Sequence, residues 1–248
     1  MRVIAVAAQK GGTGKTTSAA ALAQGAIKWG KSALLIDLDP QGSLTHIIGA
    51  DGNAPGSYDL MQGQSAGELI QHRDDQPDII PASLRLAGTD AELATRPGRD
   101  FLLQAGIKPL KGYDLIIIDT PPSLGTLLVN ALTAATEVII PLQADTFAVQ
   151  GLYQLTDTIQ QVKQYCNPGL QITGAVLTRY SAHTVLARDL REAIAAKCEV
   201  LSVPLLRSII REGVAIREAQ TLQQNLFTYA PKSNPAKDYD SLLKELEV

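Results

Sequence analysis

Apolar residues in this chain cluster in short unbroken runs, at residues 3–8, 32–38, 113–119, 137–142 and 171–178. Runs this short with few polar interruptions are what strands buried on both faces of a parallel sheet produce. Weaker runs at 78–81 and 201–205 add two more candidates. Between them the period changes to that of a helix. Residues 18–29 are alanine-rich, and 147–165 place Leu152, Leu155, Ile159 and Val162 on one face. Residues 183–197 and 235–247 are further helices, with short helical pieces at 57–71. Leu84, Ala87, Ala91 and Ala94 have helical spacing, as do Phe101, Leu102, Ala105 and Leu110, whereas Gly, Asn, Pro, Ser and Asp make 50–57 a loop. Strand–helix alternation with right-handed crossovers predicts an α/β fold. It is a single doubly wound, mostly parallel sheet of seven or eight strands, with helices on both faces and residues 1–248 as one domain. No internal repeat or low-complexity segment interrupts it.

In such sheets ligands bind beyond the carboxyl ends of the strands, and the polar residues of interest sit there. The first run leads into Lys10-Gly11-Gly12-Thr13-Gly14-Lys15-Thr16-Thr17, followed by a helix. Strand, glycine loop and helix in that order form a phosphate-binding loop. Gly11, Gly12 and Gly14 can take backbone angles closed to other residues, so that successive N–H groups converge on one anion. The helix N-terminus adds its positive end. Lys15 is placed to reach the β- and γ-phosphates of a nucleotide, and Thr16 to ligate Mg²⁺. The second run ends Asp37-Leu38-Asp39-Pro40-Gln41. Asp39 could polarise an attacking water or hold a Mg²⁺-bound water, or cap the helix beginning near Ser43. Asp37 is the more structural of the two. The run at 113–119 ends in Asp119, placed to hold Mg²⁺ through its shell, before Thr120-Pro121-Pro122 stops the strand.

Composition narrows the class. The chain has 248 residues, 45% hydrophobic and 4% aromatic, enough for one sizeable core. No apolar run approaches the roughly 18 residues of a membrane span, and the first run is too short for a secretory signal. Cys166 and Cys198 form no metal or disulfide pattern, which suits a reducing cytoplasm. The net charge is −3, yet residues 178–237 hold nine basic and five acidic side chains, a local excess of four. That asymmetry predicts a basic face for phosphates read without base contacts, or else a solvated charged surface.

The glycine loop departs from the usual phosphate loop, because Gln9 stands where a glycine is usual and Lys10 opens the loop. K-G-G-x-G-K-T-T resembles the deviant Walker A motif of the ParA/MinD ATPases. Asp37 to Gln41, Asp119-Thr120-Pro121-Pro122 and the Tyr229-to-Asn234 tail are similar to the same family, so the resemblance spans the whole chain. It implies ATP and Mg²⁺ as cofactors, held by residues 10–17. Lys10, Lys15 and Asp39 are implied in catalysis, Thr16, Asp39 and Asp119 at the metal, and Thr178 and Arg179 near the adenine. The resemblance also implies an ATP-dependent sandwich homodimer with Lys10 acting in trans, bound to nonspecific double-stranded DNA. A ParB-like adaptor would stimulate hydrolysis, and the protein would be cytoplasmic and nucleoid-associated. Two arginines that relatives use for DNA align with His183 and Ala215, which leaves Arg188, Arg211 and Arg217 as the DNA candidates. A MinD-like membrane role is disfavoured, since the last residues carry Asp238, Asp240, Glu245 and Glu247 against Lys244. A metabolic enzyme forming amides by phosphoryl transfer stays open as an alternative.

Overall fold

A computed structural model describes residues 1–145, 148–180 and 185–248. The first half runs β1 (Arg2–Val6), α1 (Lys15–Lys28), β2 (Ala33–Asp37), α2 (Ser43–Ile48), α3 (Ser57–Gln62), β3 (Asp78–Ile80), α4 (Thr89–Glu92), α5 (Leu102–Ile107) and β4 (Leu115–Asp119). The second runs α6 (Thr126–Ala134), β5 (Glu137–Gln143), α7 (Ala148–Tyr165), β6 (Gln171–Thr178), α8 (Val185–Val200), β7 (Leu205–Ile210), α9 (Val214–Thr221), α10 (Leu226–Tyr229) and α11 (Asn234–Glu245). Seven strands form one sheet in the order β3-β2-β4-β1-β5-β6-β7, and every pairing is parallel. The chain winds from β1 toward β3, then crosses back through β5 toward β7. The order therefore reverses around β1, and the crevice at that reversal is where doubly wound sheets bind ligands.

Side chains alternate across the sheet as period two requires. Val3, Ala5, Ile116, Ile118, Val138 and Ile140 join one buried cluster with residues of α6 and α7. Ile4, Val6, Leu115, Ile117 and Ile139 face the other way, into a cluster with α1, α10 and α11. Both layers are apolar, which is why the strand runs carry almost no polar residues. α1 lies close against the C-terminal elements because position 25 has no side chain: a Cβ on Gly25 would overlap Leu243 and come within 3.1 Å of Phe227.

Two expectations change. The weak run at 201–205 is not the last strand. Leu201 closes α8, Ser202 turns at φ 54°, and the strand begins only at Leu205. Pro204 lacks an N–H, so the apolar run cannot enter the ladder before it. The helical spacing at 84–94 resolves into a 3₁₀ turn (Leu84–Gly88) followed by the single turn α4. His183, Phe147 and the first residues of the helix at 183–197 lie outside the described residues.

Gly25→Ala should lower stability by about 1–3 kcal/mol through overpacking, against only ~1 kcal/mol gained in helix preference. Leu243→Ala should partly relieve it, so that in urea denaturation the double variant loses less than the sum of the singles.

Candidate functional site

The loop between β1 and α1 is shaped by two glycines. Gly12 and Gly14 sit at φ 79° and 84°, in the left-handed region that other residues avoid. Gly11 does not: its φ is ordinary, and a Cβ there would meet nothing within 4 Å. The expectation that all three glycines use restricted angles thus holds at two. Gly14 is also the N-cap residue of α1 and supplies no capping side chain, so the first amides of the helix are left for an anion.

The loop is braced from beside and below. The Thr178 hydroxyl at the end of β6 lies 2.7 Å from the Thr13 carbonyl and 3.2 Å from that of Leu142, sharing its one hydrogen between them. Thr178 is therefore a buried strut under the loop as well as part of the cleft wall. Lys15 is 6% exposed, and its ammonium donates to the Lys10 carbonyl at 3.3 Å. Burial lowers its pKa, and Asp119 and Asp39 offset this in part. Lys10 extends the other way, its ammonium 2.5 Å from Asp145 beyond β5. Asp145 had no signal in the sequence.

Three carboxylates complete the floor. Asp37 and Asp119 are register partners at the ends of β2 and β4, and both are fully buried. Asp37 accepts from the Asp39 N–H at 3.1 Å and from the Thr45 N–H and hydroxyl at 2.8 and 2.7 Å. Thr45 is in the first turn of α2, so the carboxylate holding that helix start is Asp37. Asp39 instead closes a local turn by accepting from the Gln41 N–H at 3.0 Å. The expected choice at Asp39 between chemistry and a helix cap is narrowed accordingly. Asp119 is different again: no donor meets either of its buried oxygens in good hydrogen-bonding geometry, and only the nearby Thr16 hydroxyl and Lys15 ammonium favour its charged form. Burial first, then the charge of Asp37, pushes its pKa well up. Burial likewise raises Asp37 to about 6 despite its three donors. Three carboxylates thus face one ammonium. Hard oxygen ligands with unsatisfied negative charge fit a divalent cation such as Mg²⁺. Among the described residues no group of three or more His, Cys, Asp or Glu side chains is arranged to hold a metal ion by itself.

A cleft of about 540 Å³ opens above these groups, within the usual range for small-molecule sites. Gly11, Gly12, Gly14, Lys15, Thr16, Thr17 and Asp39 line one side. Residues following β6 and β7 line the other, among them Arg179, Arg211, Gly213, Arg217 and Gln220. Arg179 turns at φ 51° and pairs with Glu212 at 3.2 Å. Arg211 is clamped by Asp238 of α11, with Nη2–Oδ1 at 2.6 Å and Nε–Oδ2 at 2.9 Å. Of the expected DNA contacts, Arg211 and Arg217 therefore border the cleft, and only Arg188, exposed on α8, lies apart from it.

The family model described as "AAA domain" matches residues 1–172, which hold the loop and all three carboxylates. A solved structure titled cobyrinic acid a,c-diamide synthase from Mycobacterium smegmatis, with bound ATP analogue and magnesium, is 35% identical with a TM-score of 0.86. It covers 100% of this chain and 96% of its own. A putative plasmid partition protein from Borrelia burgdorferi, solved with AMPPNP, is 27% identical with a TM-score of 0.82, covering 99% and 98%. The chromosome-partitioning ATPase Soj of Thermus thermophilus is 36% identical over 99% of this chain and 95% of its own. The chain belongs to the ParA/Soj family of partition ATPases. For this ParA/Soj member, the resemblance carried by the glycine loop and the strand-end aspartates extends over the full length.

Because Asp119 and Asp37 hold protons to higher pH than ordinary carboxylates, protons compete with a cation for the site. Mg²⁺-dependent ADP affinity should rise with increasing pH as Asp119 gives up its proton, with protons released on binding. Calorimetric titration in buffers of different ionisation enthalpy would measure both.

Proposed function

We propose that this ParA/Soj ATPase binds Mg·ATP in the cleft between the glycine loop and the β6–β7 wall, and that the bound nucleotide drives dimerisation and DNA binding. The observation that carries the reading is the buried charge imbalance beneath the loop, three carboxylates against Lys15. Residues 11–17 would hold the phosphates, with Lys15 on the terminal ones and Thr16, Asp39 and Asp119 at the ion. Mg²⁺, when bound, neutralises phosphate charge. Asp39, half-buried and held by its local turn, orients the attacking water. Arg179 and Thr178 border the base end. Lys10 would give up Asp145 to reach the phosphates of a second copy across a sandwich dimer.

DNA binding rests on the basic excess in residues 178–237. The geometry moves the emphasis from Arg211 and Arg217 toward Arg188 and its neighbour Arg191, both exposed on α8. Sequence-independent phosphate contacts, stimulation by a ParB-like adaptor and a cytoplasmic, nucleoid-bound ATP state complete the reading. The membrane alternative is weakened by α11, whose Leu242 and Leu243 are buried against the core, as is Leu246 just beyond it. No helix among the described residues is long and apolar enough to cross a membrane. The likeness to cobyrinic acid a,c-diamide synthase favours a second reading, ATP-dependent amide formation. Releasing ammonia from glutamine would call for a reactive thiolate, whereas Cys198 is buried with its pKa raised by burial, and neither cysteine lines the cleft.

The test is fluorescence polarisation on two unrelated duplexes with ATP, ADP or no nucleotide, at two salt concentrations. Binding is expected with ATP alone, equal on both duplexes, and falling steeply with salt, log K against log salt having a slope of about −0.9 per phosphate neutralised. Arg188→Glu with Arg191→Glu should weaken it at least tenfold while ATP binding persists. Asp39→Ala should prolong the bound state. Binding indifferent to nucleotide would remove the switch, and ATP turnover with no DNA binding would favour the amide-forming reading.

A further inference from the structure

The last of the loop's three threonines, Thr17, is tied to a distant part of the chain. Thr17 accepts a hydrogen bond from the Gln220 side-chain N–H at 3.1 Å, across 203 residues of sequence. Gln220 belongs to α9, which forms part of the opposite wall of the cleft. A hydroxyl has one hydrogen and two lone pairs. When its oxygen accepts from Gln220, its own hydrogen stays available for a phosphate oxygen in the cleft that Thr17 lines.

The helix behind this bond is lightly attached. Ala219 is the only buried residue of α9. A small cavity separates the helix from α1 and α2, lined by Ala20, Ala21, Ile47 and Ala219. The segment begins at Gly213, whose missing side chain admits Pro235, and ends at Gln223, turned at φ 54°. Gln223 fixes that far end by donating to the His46 carbonyl at 3.0 Å and accepting from Gln76 at 3.0 Å. In the last turn of α9, Gln220 is the tie to the phosphate loop.

We propose that Gln220 is a positioning residue that orients Thr17 toward an inner phosphate of the nucleotide and couples occupancy of the site to the conformation of α9. Thr17 follows Lys15 and Thr16 and faces the wall built by Arg211, Gly213 and α9. The phosphate it meets is therefore the one nearest the sugar, common to ADP and ATP. A ligand that orders Thr17 strengthens the Gln220 bond, and by linkage an ordered α9 strengthens the ligand by the same factor. Arg217 lies one turn before Gln220 on the same helix, so its position would follow the state of the loop. The inference rests on the proposed placement of nucleotide against residues 11–17.

The experiment compares full-length wild type with Gln220→Leu, which keeps the bulk and loses the donor, and with Gln220→Ala. Mg·ADP and Mg·ATP affinities are measured by calorimetry, and amide hydrogen exchange is followed in residues 11–17 and 214–221 with and without Mg·ADP. In wild type, ADP should slow exchange in both segments. In the two variants both nucleotides should bind roughly three- to tenfold more weakly, the worth of one neutral hydrogen bond. ADP should then protect residues 11–17 but no longer 214–221, while the nucleotide-free melting temperature falls only by the few degrees that one lost hydrogen bond costs. Equal protection of 214–221 in wild type and variants would overturn the coupling, as would protection confined to 11–17 in wild type. If ADP binds without protecting 11–17 even in wild type, the placement of the nucleotide fails, and the inference with it.

Discussion

The structure turns on a charge imbalance at buried strand ends. Asp37 and Asp119 end adjacent strands fully buried, Asp39 stands two residues further on, and Lys15 is the one ammonium against them. A parallel sheet packed on both faces puts strand ends in contact with each other and with the loop after β1. The polar groups that terminate the strands are consequently forced together. Desolvation raises both buried aspartates and lowers the lysine, which is the signature of a site built for charge that arrives from outside. Asp37 is quieted by Thr45 and by the Asp39 amide, and Thr45 in turn accepts from the Ala82 N–H at 2.8 Å. Asp119 has only the Thr16 hydroxyl and the Lys15 ammonium near it, too little to offset its burial. The division of labour between two like residues follows from who donates to each.

Much of this could be read before any coordinates. Strands buried on both faces leave unbroken apolar runs, and β1, β2, β4, β5 and β6 were all visible for that reason. The glycine loop was legible because φ values near 80° at residues 12 and 14 demand glycine. Local pattern failed where tertiary partners decide. The strand after α8 was misplaced because an apolar run does not show that Pro204 and the turn at Ser202 delay its entry. The ion pair of Arg211 with Asp238 joins residues 27 apart in sequence, so nothing nearby announced that this arginine was engaged. The same is true of Lys10 with Asp145 and Gln220 with Thr17, whose sequence separations are larger still.

The C-terminal third ties these pieces to the rest. Tyr239 of α11 is within 3.0 Å of the Ser18 hydroxyl in α1, Arg211 is clamped to α11, and Gln220 reaches the loop. Consecutive hydroxyls at the start of α1 therefore have different addressees: Thr16 the cleft, Thr17 α9 and Ser18 α11. A change at the phosphate loop has direct physical routes into the segment that holds most of the local basic excess. That arrangement suits the proposed coupling of the nucleotide to DNA binding.

The buried charge imbalance is tested most directly by Asp119→Asn. Without nucleotide, replacing this carboxyl should stabilise the protein by about 1–3 kcal/mol in urea denaturation near neutral pH, since the cost of burying an acid whose ionised form the site disfavours is removed. The same variant should lose the dependence of ADP affinity on Mg²⁺. A destabilised nucleotide-free variant that keeps its Mg²⁺ dependence would contradict the account.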